Sequence, residues 1–308
     1  MEIVPLPQHF RAMQETIAAR APDILIYPDI GMDMTSYLLA MMRLAPYQCC
    51  LTGHPDTSGI DTLDYFISSR LYEPEGAQKN YTEQLLVVPK LDTQFERPAP
   101  PQWRNREALG LPLDKRIYVC PMAIQKMHPD FDDILADILK RDPNGILVLF
   151  NDFQLKSASL LLQQRILAKC PPNRVMFLEW QPLDTLLSIM KAADAVLATI
   201  HFGAGTTGQF ATAYGIPMVN MPGDFARSRI VYASYVLMGI EDAPVAHSPE
   251  EYAAIAVRLA NEPGYREKIS AQLLEKNALL FEDNRYGETL AQLLVAMMRQ
   301  ELGEYRPS

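Results

Sequence analysis

Short apolar runs alternate with amphipathic segments along most of the chain, and this pattern predicts its secondary structure. The predicted strands cover residues 24–27, 47–51, 65–67, 85–88, 117–120, 146–150, 175–178, 195–200 and 217–220. The predicted helices cover residues 34–44, 131–140, 158–169 and 183–193, and the tail from Pro249 to Glu301 is mostly helical. Strands that alternate with helices predict an α/β protein whose parallel sheets are covered on both faces.

The densest proline cluster, Arg97-Pro-Ala-Pro-Pro101, interrupts this alternation, which then restarts. Such a segment continues neither a helix nor a strand, so it is the best candidate for a linker. We therefore predict two Rossmann-like units. The first is a partial unit over residues 1–95, residues 96–102 form the linker, and residues 103–308 form the second unit, with the last helix packing back on the first.

The composition favours a globular protein and argues against a nucleic-acid-binding or membrane-spanning one. Of the 308 residues, 48% are hydrophobic and 21% charged, which is typical of a globular protein with a real core. A net charge of −9, without local basic clusters, argues against nucleic-acid binding. No apolar run is long enough to predict a membrane span, and the N-terminus lacks the pattern of a signal peptide.

The four cysteines fit no zinc-ligand spacing, so no metal site is expected from them. Cys49, Cys50 and Cys120 lie in apolar runs, which favours buried thiols over disulfides. This usage predicts a cytoplasmic protein.

The segment from Ala195 to Gly208 is the most informative part of the chain. An apolar run ends in a turn that contains Gly203 and Gly205, and Thr206 and Thr207 follow where a helical pattern begins. Unpaired N–H groups and the positive end of a helix dipole suit a phosphate group, and the two threonines can cap the helix or donate to phosphate oxygens. A nucleotide or nucleotide-sugar site is one interpretation, and an ordinary turn between a strand and a helix is the other.

The same turn spells G-x-G-x-x-G from Gly203 to Gly208, and Asp224 follows at about the spacing expected for a dinucleotide site. An NAD-dependent oxidoreductase is therefore a competing hypothesis. Against it, that fingerprint usually opens the first βαβ unit of its domain, whereas here several strands precede it.

Several segments, in order along nearly the whole chain, together resemble the O-GlcNAc transferase-type glycosyltransferases, which include bacterial protein N-glucosyltransferases. They are 27–33, 43–46, 53–59, 64–68, 81–85, 120–131, 201–207, 215–219 and 222–229. The resemblance implies a GT-B fold, in which two Rossmann-like domains face a cleft. It also implies metal-free, inverting transfer of a sugar from a UDP-sugar, UDP-GlcNAc or a UDP-hexose, to a side chain of an acceptor protein, without a cofactor.

Matching residues by position extends the resemblance to single side chains. Lys126 matches the lysine that pairs with the donor diphosphate, and Thr206 and Thr207 match the phosphate-binding turn. His201 matches a histidine just before the glycine loop. His54, in the loop 54–59 that matches one facing the cleft, is the candidate for acid–base catalysis; a structural histidine is the alternative.

Three departures from the family pattern change the expected activity. Phe210 stands where the family usually has an acidic residue, and Gln125 falls in a different register from the family glutamine. The chain also begins part-way through the family's first domain, which points to a fragment, a truncated homologue or one piece of a larger assembly with a missing segment or partner chain. We therefore expect UDP binding with weak or absent transfer if the chain acts alone, and a non-catalytic nucleotide-binding domain is the alternative function.

Overall fold

The computed structural model describes residues 2–91, 95–282 and 285–299 and divides the chain into two compact units. The first unit comprises residues 2–91, 224–226 and 285–299, and the second comprises residues 95–223 and 227–282. Each unit contains its own parallel sheet, so the prediction of two separate α/β units is confirmed.

The first unit contains a four-stranded parallel sheet whose strands lie in sequence order. Its strands are β1 (Ile24–Tyr27), β2 (Tyr47–Leu51), β3 (Tyr65–Ser69) and β4 (Gln84–Val88). Its helices are α1 (Phe10–Ala18), α2 (Met34–Ala40) and, from the far end of the chain, Arg285–Met298, which is numbered α11 below.

Adjacent cysteines in β2 show how both faces of this sheet are covered. Cys50 packs into a core with Leu39 of α2, whereas Cys49 packs into a second core with Leu293 and Met297 of α11. Successive strand residues point to opposite faces, so a continuous apolar strand indicates a sheet buried on both sides. The last described helix, α11, therefore packs on the sheet of the first unit. It belongs to the first unit, although the predicted bounds assigned residues 103–308 to the second unit.

The second unit contains a five-stranded parallel sheet with the order β7-β6-β5-β8-β9. Its strands are β5 (Arg116–Val119), β6 (Gly145–Phe150), β7 (Val175–Leu178), β8 (Ala195–Leu197) and β9 (Met218–Val219). Its helices are α3 (Asp130–Arg141), α4 (Lys156–Lys169), α5 (Leu183–Ala192), α6 (Thr206–Ala213), α7 (Ile230–Met238), α8 (Pro249–Asn261), α9 (Pro263–Lys276) and α10 (Ala278–Phe281).

This order is that of a doubly wound sheet, in which the chain moves outward from a central strand in one direction and then in the other. In the core, α3 and α8 pack together and against the sheet. The fully buried ring of Tyr252 meets Phe131 edge to face at 5.6 Å, and its hydroxyl donates to the carbonyl of Ala198. A buried tyrosine thus keeps its polar atom satisfied at the end of β8.

The proline-rich segment is irregular, as predicted, and it is fastened to the second unit. The Arg97 guanidinium donates to Asn277 Oδ1 at 3.0 Å, and the Tyr214 hydroxyl donates to the carbonyl of Ala99 at 2.6 Å. Trp103 meets the Tyr214 ring edge to face at 5.0 Å.

Several predicted element bounds were wrong. The helix predicted over 34–44 ends at Ala40, because the buried Gln48 side chain binds the carbonyl of Met42 and the N–H of Leu44. The strand predicted over 195–200 ends at Leu197, where ladder pairing with β9 stops. Helices α1 and α7 were not predicted; α7 is apolar on all sides and shows no amphipathic period. None of the helices in the described residues has the length and apolar character of a membrane span.

Candidate functional site

The site expected from the fold lies in the second unit, where the strand order reverses. β5 has β6 on one side and β8 on the other, and ligands of open parallel sheets bind beyond the carboxyl ends of the strands at such a point. The loops that leave β5 and β8, together with the first turn of α6, carry every predicted donor-site residue. The topology therefore explains why residues distant in the sequence meet here.

Lys126 connects these two loops. It ends a short 3₁₀ turn, Ile124–Lys126, after β5, and its ammonium donates to the carbonyl oxygen of Gly203 at 3.0 Å. The same ammonium lies 4.3 Å from the centroid of the Phe202 ring. Lys126 is therefore partly buried and hydrogen-bonded within the fold.

The surroundings of Lys126 favour an anionic ligand. Burial lowers the pKa of Lys126, because a partly desolvated ammonium is less stable in its charged form. Within the described part of the chain, no carboxylate forms an ion pair with it. Its direct partners are a neutral carbonyl and a ring face, so an incoming anion would supply the missing negative charge.

The turn after β8 presents the first turn of α6 to the same region. Gly205 is the N-cap residue, and no side chain caps the helix, so the prediction that Thr206 or Thr207 caps it was wrong. Both threonines instead lie inside the first turn, where backbone N–H groups have no partner within the helix. The positive end of the dipole and these N–H groups remain available to an anion.

The glycines allow close packing around this turn. The N–H of Gly203 donates to the carbonyl of Arg227 at 2.9 Å, and Arg227 Nε donates back to the carbonyl of His201 at 3.2 Å. A Cβ atom at Gly208 would lie 2.6 Å from Val231 Cγ2 of α7. The third glycine of the G-x-G-x-x-G pattern thus serves contact between α6 and α7.

His201 lies at the edge of the site beside two residues that the sequence did not single out as ligands. Its Nε2 is 2.8 Å from Asp130 Oδ2, and His128 Nδ1 is 3.4 Å from the same oxygen. The two imidazole rings meet edge to face at 4.5 Å. A hydrogen bond from His201, followed by the charges of both histidines, lowers the pKa of Asp130.

His54 lies in the first unit, in the loop after β2. Its Nε2 is 3.4 Å from Asp56 Oδ2, and its ring packs against Gly31, where a Cβ atom would lie 2.9 Å from His54 Cδ2. The side chain is about one-third exposed (31%). A neighbouring carboxylate can orient an imidazole for proton transfer, so the geometry is compatible with the predicted role.

A buried carboxylate anchors this loop. Glu83 accepts hydrogen bonds from the Thr57 hydroxyl at 2.6 Å and the Ser58 N–H at 2.9 Å, and also from the Ser58 hydroxyl. Burial alone raises the pKa of Glu83, but the hydrogen bonds from Ser58 and Thr57 outweigh it and lower the pKa. The loop that carries His54 is therefore held on the sheet by a charged acceptor.

The chain has two parallel sheets, and a glycine-rich turn precedes a helix where the strand order of the second sheet reverses. This arrangement is characteristic of the GT-B class of glycosyltransferase folds. The structure superposes on the O-GlcNAc transferase of Thermobaculum terrenum (a mutant form) with a TM-score of 0.80 and 23% identity, covering 96% of this chain and 56% of that one. Residues 89–290 match the sequence model of glycosyl transferase family 41. The chain belongs to this family.

Relatives with assigned names agree with the family. The chain is 27% identical to a probable UDP-N-acetylglucosamine–peptide N-acetylglucosaminyltransferase of Arabidopsis thaliana, over 72% of this chain and 23% of that protein. It is 25% identical to a UDP-glucose:protein N-beta-glucosyltransferase of Actinobacillus pleuropneumoniae, over 89% of this chain and 44% of that protein. The chain thus spans less than half the length of these two relatives.

Proposed function

We propose that this chain provides the donor site of a UDP-sugar-dependent, inverting glycosyltransferase that acts on protein side chains. Membership of family 41 supports the reaction class. The names of the two relatives support UDP-GlcNAc or UDP-glucose as donor and a peptide or protein as acceptor. The four cysteines, all buried and unpaired, support a location in the reducing cytoplasm.

The observation that carries the proposal is the meeting of Lys126 with the turn before α6. The two come from the loops that flank the switch point, and the ammonium lies 3.0 Å from the Gly203 carbonyl. A diphosphate bound there would be contacted by the Lys126 ammonium and by the backbone N–H groups of Gly205, Thr206 and Thr207. His201 would line the edge of the same site.

This arrangement suits a leaving group that gains negative charge. In an inverting transfer, the acceptor atom bonds to the anomeric carbon as the bond from that carbon to the UDP oxygen breaks. The electron pair of the broken bond stays on the diphosphate, where Lys126 and the α6 dipole would stabilise it. This protein cation can take the place of a metal ion, so we propose transfer without a metal or another cofactor.

We assign His54 as the group that accepts the proton from the acceptor side chain. Asp56 would hold the imidazole in orientation, and the Glu83 hydrogen bonds would fix the loop. A well-placed general base contributes about 10²–10⁴-fold to a rate. The sugar identity depends on the shape of the bound complex, so both donors belong in the test.

Transfer should be measured with the full chain, UDP-GlcNAc or UDP-glucose, and acceptor peptides, by mass spectrometry. The proposal predicts a mass increase of one sugar residue, and His54→Ala should reduce the rate about 10²-fold or more without weakening UDP binding. His9→Ala is the matched control, because His9 is an exposed histidine before α1. Its rate should equal that of the unmodified chain.

The alternatives predict other results. UDP binding without any transfer from either donor would favour a non-catalytic nucleotide-binding domain. Transfer that persists at full rate in His54→Ala would remove the assignment of that residue while leaving the donor site intact. Binding of NAD in place of UDP would support the oxidoreductase hypothesis, although the glycine fingerprint here follows the fourth strand of its unit instead of the first.

A further inference from the structure

His128, Asp130 and His201 form a cluster of metal-ligating side chains, and of these three only His201 has a place in the proposed donor site. One ligand atom from each residue lies within 4.8 Å of the others. Two come from the start of α3 and one from the loop after β8, so folding brings them together. All three side chains are more than half exposed to solvent.

We propose that these three residues form a binding site for a borderline divalent cation of the Zn²⁺ type. Two imidazoles and one carboxylate are a ligand set that Zn²⁺ takes in proteins, with a water or another ligand in the remaining position. Mg²⁺ prefers all-oxygen sets and is not expected to bind here. The proposal does not rest on the proposed function, but His201 would belong to both sites, so ion binding is tested without nucleotide.

The geometry requires only small movements to accept the ion. Ligand atoms around a metal with bonds of about 2.0–2.2 Å lie roughly 3–4 Å apart. His201 Nε2 and His128 Nδ1 already lie 2.8 and 3.4 Å from one oxygen of Asp130. Rotation of exposed side chains can open these contacts without disturbing the core.

The backbone of the cluster is well held, which favours a defined site over a chance surface contact. Asp130 begins the twelve-residue helix α3, and its N–H donates to His128 Nδ1 at 3.2 Å, so rotation of the His128 side chain must break this hydrogen bond before Nδ1 can bind an ion. The carbonyl of His201 accepts from Arg227 Nε. A bound ion would join the β8 loop to the start of α3 beside Lys126.

Calorimetric titration of the full chain with Zn²⁺, after removal of metal by a chelator and without nucleotide, tests the proposal. We expect one saturable site, and His128→Ala and His201→Ala should each lower its affinity about tenfold or more. Asp130→Asn should also weaken it. His247→Ala is the matched control, since His247 is an exposed histidine outside the cluster, and its affinity should match that of the unmodified chain.

A second measurement covers the case in which a variant fails to fold. In the unmodified chain, Zn²⁺ should shift the imidazole proton resonances of His128 and His201 and leave those of His9 and His247 in place. Equal affinity in the variants, no saturable binding, or shifts at all histidines alike would overturn the proposal. Equivalent binding of Mg²⁺ would also overturn it, because a ligand set with two imidazoles should discriminate between the two ions.

Discussion

Replacing Asp142 with asparagine is expected to lower the free energy of unfolding of the second unit by about 3–5 kcal/mol at neutral pH. Asp142 lies just after α3 and is almost fully buried (2% exposed). Its carboxylate accepts from Arg116 Nε at 2.6 Å and from the Tyr118 hydroxyl at 2.6 Å. The Asn144 N–H donates to it as well. An amide cannot neutralise the guanidinium or accept all these bonds, so it would leave buried donors unsatisfied.

The contribution of Asp142 to the free energy of unfolding depends on pH, and the pKa of its carboxyl group gives the direction. Burial alone raises the pKa of Asp142, but the hydrogen bonds from Arg116 and Tyr118 outweigh it and lower the pKa to about 2. A carboxyl group with a lowered native pKa stabilises the fold above its unfolded pKa of about 4, and this contribution is lost as the pH falls towards 2. Asp142→Asn should lack this part of the acid destabilisation.

Urea unfolding at pH 7 and at acidic pH measures both effects. Asp137→Asn is the matched control, since Asp137 lies in α3, close to Asp142 in the sequence, and pairs with Arg141 at the surface, at 2.7 Å. We expect it to cost at most about 1 kcal/mol. Equal effects of the two substitutions would show that Asp142 is not the anchor that its contacts indicate.

Gly53→Ala is expected to destabilise the first unit by about 3 kcal/mol or more, because a side chain has no room there. An ideal Cβ atom at Gly53 would lie 1.9 Å from the carbonyl oxygen of Pro28, which is backbone and cannot rotate away. Any accommodation would have to move the loops after β1 and β2 apart. His54 follows directly, so we also expect its contact with Gly31 to be lost.

Gly59→Ala separates this clash from ordinary glycine effects. Gly59 lies in the same loop with φ +66°, but nothing lies within 4 Å of the position of its Cβ atom. Only the cost of a left-handed conformation remains, about 1–2 kcal/mol. Urea unfolding and amide hydrogen exchange of β1 and β2 measure the two effects. Gly53→Ala should lower the free energy of unfolding and the exchange protection much more than Gly59→Ala. A larger loss in Gly59→Ala would show that Gly53 is not closely packed.

Apolar runs predicted each of the nine strands in the described residues, because each strand is a short apolar run between turn residues. The predicted element bounds were wrong where a tertiary contact replaced local hydrogen bonds. An example is Gln48, whose side chain binds the backbone of Met42 and Leu44 just beyond the end of α2. Helix α7 was missed because an element apolar on every side has no amphipathic period.

The glycine turn and its two threonines were predicted as a phosphate site from their local pattern, Lys126 and His201 were predicted through the resemblance, and the structure supplied their contacts. Nothing local in the sequence indicates that Lys126 contacts Gly203, since the contact depends on the strand order of the second sheet. His128 and Asp130 were not singled out as ligands, because their partner His201 comes from a distant segment. Single-residue capping rules also failed at Thr206 and Thr207, because Gly205 is the N-cap residue and both threonines lie inside the helix.

Calorimetric titration of the full chain with UDP and, separately, with NAD decides whether the turn before α6 belongs to a UDP site. We expect that UDP binds, that NAD does not compete with it, and that Lys126→Ala weakens UDP binding about tenfold or more through loss of a charge-assisted contact. Lys140→Ala, at an exposed lysine of α3, should leave the affinity unchanged. Unaltered UDP affinity in Lys126→Ala, or binding of NAD but not UDP, would contradict the account.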